Sequence, residues 1–361
     1  MADIDFIAPP KTTSITFALE PIENILGSLG LLTIAETYSG LDDWVVQTYH
    51  RLSPAQQRAN RLVFDPFYGA VAVDEDEWPN FPAFIDHLAA EDATAMRDRA
   101  IEKLCTREGP DGKEPDAVEL LADRQAFLAH VEHLHRVKDA LEHYDQGLYE
   151  EAHTLLNDPA ALKELVVSHL RTMWQEYMAG EWMRVEPMLK ESIAAFEKVD
   201  FSTMSSAEAF RAITGRPVPD LWEEYINEAE HIIYSPSAHI GPYLRLWHSD
   251  GGVRVSFGAR IPQGVQASAP ALSRSELLAR LSALADDTRL RILRLLSEEG
   301  ELRAQDIMER LDLSQSAASR HLRQLTATGF LSERRREVAK VYDLQRERID
   351  DTFQALAQYL K

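Results

Sequence analysis

The segment from Leu311 to Phe330, Leu-Asp-Leu-Ser-Gln-Ser-Ala-Ala-Ser-Arg-His-Leu-Arg-Gln-Leu-Thr-Ala-Thr-Gly-Phe, constrains this chain more than any other stretch. It reads as the turn and second helix of a helix-turn-helix, the element that enters a DNA major groove. Ser314 suits an N-cap, because its hydroxyl accepts a backbone N–H left unpaired at a helix start. Ala318, Leu322 and Leu325 follow at i, i+4 and i+7 and give one inward apolar face. The other faces carry Gln315, Ser316, Ser319, Arg320 and Arg323, side chains that hydrogen-bond base edges and phosphates. Gly329 stands where a left-handed residue ends a helix.

The flanking residues fit the same unit. Leu302–Leu311 reads as the preceding short helix, with Ala304, Ile307 and Leu311 on one face. Before it, Leu290–Leu296 continues an apolar stripe that stops at Glu298-Glu-Gly300. Downstream, Phe330–Arg336 and Lys340–Leu344 flank the turn Glu337-Val-Ala339 and predict a β-hairpin. Its tip carries Arg334, Arg335, Arg336 and Lys340, a cationic wing placed to touch phosphates or a minor groove.

These residues resemble the arsenical-repressor (ArsR-type) family of bacterial winged-helix regulators. The resemblance rests on Leu284-Ala-Asp-Asp-Thr-Arg-Leu-Arg-Ile-Leu-Arg-Leu-Leu296, on Ser314–Leu325, on Gly329-Phe-Leu, and on the Arg-rich hairpin ending at Tyr342. It covers residues 273–361. It implies double-stranded DNA as a partner and a homodimer paired through the first and last helices of the domain. Leu277, Leu281 and Leu284 would line the first helix, and Ile349, Phe353, Leu356 and Leu360 the last. His321 is placed either at a phosphate or as a packing residue under the reading helix. Metal-sensing members carry a Cys-x-Cys pair before the reading helix or His and Asp ligands on the last helix. Here Leu302-Arg-Ala-Gln-Asp has no Cys and Arg348–Tyr359 no His, so neither usual metal site is expected.

A net charge of −21 is wrong for a DNA binder until it is divided along the chain. From Arg274 onward there are 16 Lys+Arg against 15 Asp+Glu, so the acidic excess lies in the preceding residues. Between Ser314 and Tyr342 six basic residues face two acidic ones. The basic edge is local, and the acidic part is expected to face away from DNA. A single Cys, Cys105, suits a reducing compartment and an inert buried thiol. The acidic start Met-Ala-Asp-Ile-Asp-Phe lacks a signal-peptide plan, and no apolar run approaches membrane length. The expectation is a cytoplasmic protein with no membrane contact.

The fold class expected is mainly α: a large helical amino-terminal domain with a few strands, plus the carboxyl-terminal winged helix-turn-helix. Residues 1–263 form the first domain, 264–272 a small-residue linker and 273–361 the second. Ser14–Leu19 alternates as a strand, and Pro21 opens a helix to about Glu36. Further helices are expected at Asp42–Leu52, Phe81–Ala90, Asp92–Cys105, Asp116–His143, Ala160–Met178 and Trp182–Val199. Within 229–259, His231–Tyr234, Tyr243–Trp247 and Val253–Phe257 read as strands, with a hairpin turn at Ser249-Asp-Gly-Gly252. This region is similar to an uncharacterised extension in long members of the same family, a resemblance that brings no ligand with it.

Within that region His130-Val-Glu-His133-Leu-His135 invites a metal reading. One helix places His130 and His133 on one face but turns His135 away, so a solvated helix face is expected rather than a metal site. Trp174, Tyr177 and Trp182 are candidate ligand-pocket residues, although aromatics more often fill helical cores. Asp74-Glu-Asp-Glu77 reads as a wet loop rather than a cation site. No phosphate loop, nucleophile elbow or His-Glu-x-x-His is present, so neither catalysis nor a cofactor is expected. The function expected is a homodimeric DNA-binding regulator, a repressor, whose amino-terminal domain senses a small-molecule effector. The alternative makes that domain a ligand-free interaction or dimerisation module. An enzyme tethered to DNA ranks third.

Overall fold

The computed structural model describes residues 13–38, 40–72, 78–137, 144–249, 252–260, 262, 274–336 and 339–360. The expected linker at 264–272 and the acidic run Asp74–Glu77 lie outside them. Among the described residues the chain groups into two compact units. Residues 20–186 with 313–321 form one; residues 13–19, 187–312 and 322–360 form the other. The units therefore do not divide at the linker expected from composition.

The helical unit contains α1 (Pro21–Leu31), α2 (Asp43–Arg51), α3 (Pro54–Phe64), α4 (Tyr68–Val71), α5 (Phe81–Ala90) and α6 (Ala93–Cys105). It continues with α7 (Ala117–Ala122), α8 (Arg124–Val137), α9 (Gln146–Leu156), α10 (Pro159–Met173) and the first part of α11 (Ala179–Phe196). Its centre is α10, which packs on α3, α5, α6 and α9. Leu162, Val166, Leu170 and Met173 are buried on α10 at helical spacing, which is why a 15-residue helix is stable there.

Two helix boundaries differ from expectation for stated reasons. The helix expected over Asp116–His143 is broken at Asp123, whose carboxylate accepts the N–H of Gln125 and Ala126 (2.8 and 3.2 Å) and starts α8 anew; residues 138–143 are outside the described set. Conversely, no gap separates Ala160–Met178 from Trp182–Val199. A π turn at Trp174–Met178 joins α10 to α11, with Pro187 accommodated inside the latter. The helix α3 opens with a reciprocal Ser53–Gln56 capping box and Pro54, signals that were present in the sequence.

The second unit holds a four-stranded sheet in the order β1 (Ser14–Phe17), β2 (His231–Ser237), β4 (Gly252–Gly258), β3 (Arg245–Ser249). β2 runs parallel to both β1 and β4, and β3 is antiparallel to β4, as the hairpin signal predicts. Ile232, Tyr234, Val253, Val255 and Phe257 alternate onto one face and pack with Phe196 and with Phe210 and Ile213 of α12 (Ser206–Thr214). Ile226 of α13 (Glu223–Glu228) completes this core.

The remainder is the winged helix: α14 (Arg274–Leu284), α15 (Asp287–Glu299), β5 (Leu302–Arg303), α16 (Ala304–Leu311), α17 (Gln315–Ala327), β6 (Leu331–Arg336), β7 (Ala339–Leu344) and α18 (Arg346–Tyr359). Its sheet order is β5-β7-β6. Leu302-Arg303, expected as helix, is instead a short strand paired with Val341 and Tyr342. The Asp306 carboxylate accepts the Arg303 N–H at 3.0 Å, so the helix begins only at Ala304.

The helical unit makes one testable demand on pH. His169 is buried in α10, where its Nε2–H donates to Asn60 Oδ1 (3.0 Å) while the Asn60 amide donates to the Leu29 carbonyl. Burial pushes its pKa down from 6.5 to about 4. Between those values the unfolded chain binds a proton that the fold refuses, so stability is full above pH 6.5 and is lost as pH falls toward 4. His169→Gln keeps a donor without titrating. It is expected to flatten that slope by up to about 3 kcal/mol in urea unfolding across the window, leaving the smaller slope of His130, which burial also lowers. An unchanged slope would contradict the assignment.

Candidate nucleic-acid interface

The turn between α16 and α17 is made by Asp312 in the left-handed region (φ 53°). Ser314 Oγ then accepts the Ala317 N–H at 3.3 Å, the N-cap that the sequence indicates. Ala318, Leu322 and Leu325 are buried along α17. Gly329 closes the helix at φ 79°, a left-handed conformation that a side chain would strain.

Of the residues expected to meet DNA, Gln315, Ser316 and Arg320 are exposed, and Ser319, His321 and Arg323 are half-buried. On the wing, Arg334 is exposed. Arg336 stands 3.1 Å from Glu301 and Lys340 3.2 Å from Glu333, so both are held while their outer faces stay wet. The Arg335 side chain and the turn residues Glu337 and Val338 lie outside the described set. The division into units runs through α17 itself. Leu313–His321 groups with the helical unit, Leu322 onward with the other.

Of the residues expected at a dimer contact, Leu277 is only 3% exposed and serves its own chain's core. Leu281, Ile349 and Leu356 are half-buried. Phe353 (54% exposed) and Leu360 (74%) remain open on α18, and Leu278 and Tyr359 are exposed with them. These exposed apolar side chains stand on or at the end of two helices, α14 and α18, that pack together.

Other candidates resolve into packing. His130 is buried with Nε2 at 3.0 Å from the Leu104 carbonyl, and His135 contacts the Val131 carbonyl and the Tyr149 hydroxyl. Among the described residues, no group of three potential metal ligands includes His130, His133 or His135. Trp174 packs on Phe81 (5.5 Å between rings), Tyr177 lies beneath Arg51 and near Gln56, and Trp182 is half-buried. Cys105 is half-buried, and burial together with Asp116 raises its thiol pKa, the opposite of an activated thiol. No helix of the described residues is long and apolar enough to cross a membrane.

The sequence did not single out the arginines that hold the reading helix. Arg289 donates to the Ser282 and Ala283 carbonyls (2.9 and 2.7 Å) and to Gln324 Oε1 on α17. Arg216 donates to the Thr326 carbonyl at 2.8 Å and the Pro242 carbonyl at 2.7 Å. The carbonyls that Arg216 holds lie 26 and 110 positions away, and Gln324 lies 35 positions from Arg289, separations that no local pattern encodes.

Residues 286–333 match the family model described as bacterial regulatory protein, arsR family. A stretch of 64 residues, 18% of this chain, is 45% identical to the arsenic resistance transcriptional regulator ArsR1 of Pseudomonas putida. The match spans 50% of that protein, so the chain covers about half the length of the curated relative.

The Arg289 clamp has a measurable weight. Arg289→Lys keeps the charge but not the planar fork and is expected to lower the unfolding free energy by about 1–3 kcal/mol in urea. An unchanged midpoint and slope would show that these hydrogen bonds are redundant.

Proposed function

From an ArsR-type winged helix-turn-helix domain at the carboxyl end of the chain, we propose that this protein is a DNA-binding transcriptional regulator acting as a homodimer. The observation that carries the reading is α17: capped at Ser314, buried along Ala318-Leu322-Leu325 and polar outward at Gln315, Ser316 and Arg320. In this reading Ser319, His321 and Arg323 flank the base contacts. Arg334, Arg335, Arg336 and Lys340 neutralise phosphates from the wing. It acts as a repressor by occupying its operator, in a cytoplasmic setting and with no membrane role.

The dimer reading is supported by the open patch of Phe353, Leu360, Leu278 and Tyr359 on α14 and α18. Ile349, Leu356 and Leu281, half-buried on the same two helices, belong to the proposed contact, and Leu277 supports it from its own chain's core. A twofold copy closes such a patch isologously and sets two reading helices about 34–36 Å apart, one turn of DNA. The acidic helical region is the effector-responsive part of this regulator. Trp174, Tyr177 and Trp182 remain its candidate ligand residues, weakened by the packing described above. A ligand-free interaction module is the second reading, favoured by that same packing.

The DNA reading is tested by Arg320→Ala. Loss of a base contact is expected to cost about 1–3 kcal/mol on a selected operator and much less on random DNA. Equal losses on both would reduce Arg320 to a phosphate contact. The dimer reading is tested by Phe353→Asp, which sets an unpaired charge in the closed interface. Light scattering is expected to show monomers, with operator binding lost and the far-ultraviolet circular dichroism retained. A surviving dimer with full affinity would place the dimer contact elsewhere.

A further inference from the structure

Behind α17, the second unit contains a small recess open to solvent. It is lined by Thr214, Arg216, Tyr243, Glu276, Arg280 and Thr328, among others. Arg280, on α14, is only 4% exposed, and its Nη1 has no hydrogen-bond partner. A guanidinium N–H buried without an acceptor is costly, because it has lost water and gained nothing.

The surrounding charge is unbalanced. Among the described residues, Arg216, Arg260, Arg280 and Arg348 converge here with Arg211 acting on Arg348, and the carboxylates acting on Arg216, Arg280 and Arg348 are Glu276 and Asp351. Glu276 is itself engaged, with its Oε1 3.3 Å from Arg260 Nη1. Burial, with Arg280 nearby, pushes the Arg216 pKa down to about 10; burial and the neighbouring arginines do the same for Arg348. Arg216 and Arg348 therefore stay cationic at neutral pH, and the neighbouring guanidinium groups repel one another. An anion in the recess would supply the missing acceptor and the missing charge together.

We propose that this recess binds a small oxyanion, a phosphate or carboxylate group, between Arg216 and Arg280, and that its occupancy loosens the carboxyl end of α17. The coupling follows from Arg216, whose two donors now hold the Pro242 and Thr326 carbonyls. Thr326 lies in the last turn of α17, where its carbonyl also accepts the Gly329 N–H at 3.0 Å, so the guanidinium is a second, cationic donor at the helix end. A ligand that draws the guanidinium into the recess withdraws that support. The consequence for operator binding rests on the DNA reading of α17; the site itself does not.

The test uses the full chain, with inorganic phosphate and succinate as probes at constant ionic strength. Calorimetry is expected to show one saturable site for at least one probe, and the probe that binds identifies the head group. At a hundredfold excess over Kd the melting temperature should rise by roughly 5 °C. Arg280→Met, which keeps the stem and removes the fork, should bind at least tenfold more weakly. Its melting temperature without probe should not fall, because an unpaired buried cation is gone. Should that variant fail to fold, Arg280→Lys retains the charge, loses the fork and should weaken binding several-fold. With the bound probe, hydrogen exchange of the Thr328 and Gly329 amides should quicken in the parent chain and not in the variant. No saturable binding of either probe, or equal binding by parent and variant, would overturn the site. Binding with unchanged exchange would overturn the coupling to α17. Operator affinity, measured last, should fall several-fold with bound probe; an operator never bound at all would refute the DNA reading while leaving the calorimetric result intact.

Discussion

The arrangement of the sheet-bearing unit depends on one guanidinium. Arg216 leaves the loop after α12 and reaches the Pro242 carbonyl before β3 and the Thr326 carbonyl at the end of α17. Each charged hydrogen bond to a carbonyl contributes about 1.5–3 kcal/mol when sheltered from water. Arg348 makes the reverse tie, donating from α18 to the Gly215 carbonyl, and Ser192 of α11 donates to the Arg260 carbonyl at 2.6 Å. Together these contacts fasten a β-sheet with a buried aromatic core to a helix-turn-helix. The strands of the amino-terminal region therefore belong to the unit that carries α17 from Leu322 onward.

That arrangement separates what the sequence reveals from what it hides. The reading helix was legible because its determinants are local: a cap at Ser314, a 3.6-residue stripe through Ala318, Leu322 and Leu325, and a stop at Gly329. The strands of the sheet were legible from period-two alternation, and the hairpin from Gly252. The break at Asp123 and the continuity through Trp174–Met178 were not, because each depends on which backbone groups a side chain or a π turn satisfies once the helix is packed. The least legible feature was the grouping of sheet and winged helix. Small residues at 264–272 announce a linker, whereas the contact from the sheet's unit to the end of α17 runs from Arg216 to a carbonyl 110 positions away, which no local pattern encodes. Leu277 shows the same limit at finer scale. The stripe on its helix was visible, but which of Leu277 and Leu278 faces the chain's own core is decided by tertiary packing.

The distribution of charge follows from the same division. Acidic residues crowd the region before Arg274, while cations gather at α17, at the wing and in the buried cluster behind α17. The exposed group meets solvent and suits a polyanion. The buried group cannot reach a duplex, since Arg280 is nearly closed to solvent, and so it serves either structure or a small anion. Structure alone is a poor explanation for this excess of arginines over carboxylates among the described residues, because a buried cation without its counterion destabilises the fold that contains it.

The sheet and the part of the winged helix from Leu322 onward form one cooperative body tied through Arg216. Native-state hydrogen exchange measures this directly, because amides within one cooperative unit share an opening free energy. The account predicts that protected amides of β2 and β4 and those of Leu322 to Leu325 on α17 converge on the same value as denaturant is raised, and that Arg216→Lys lowers both sets together. Two distinct values, with Arg216→Lys shifting only one of them, would contradict it.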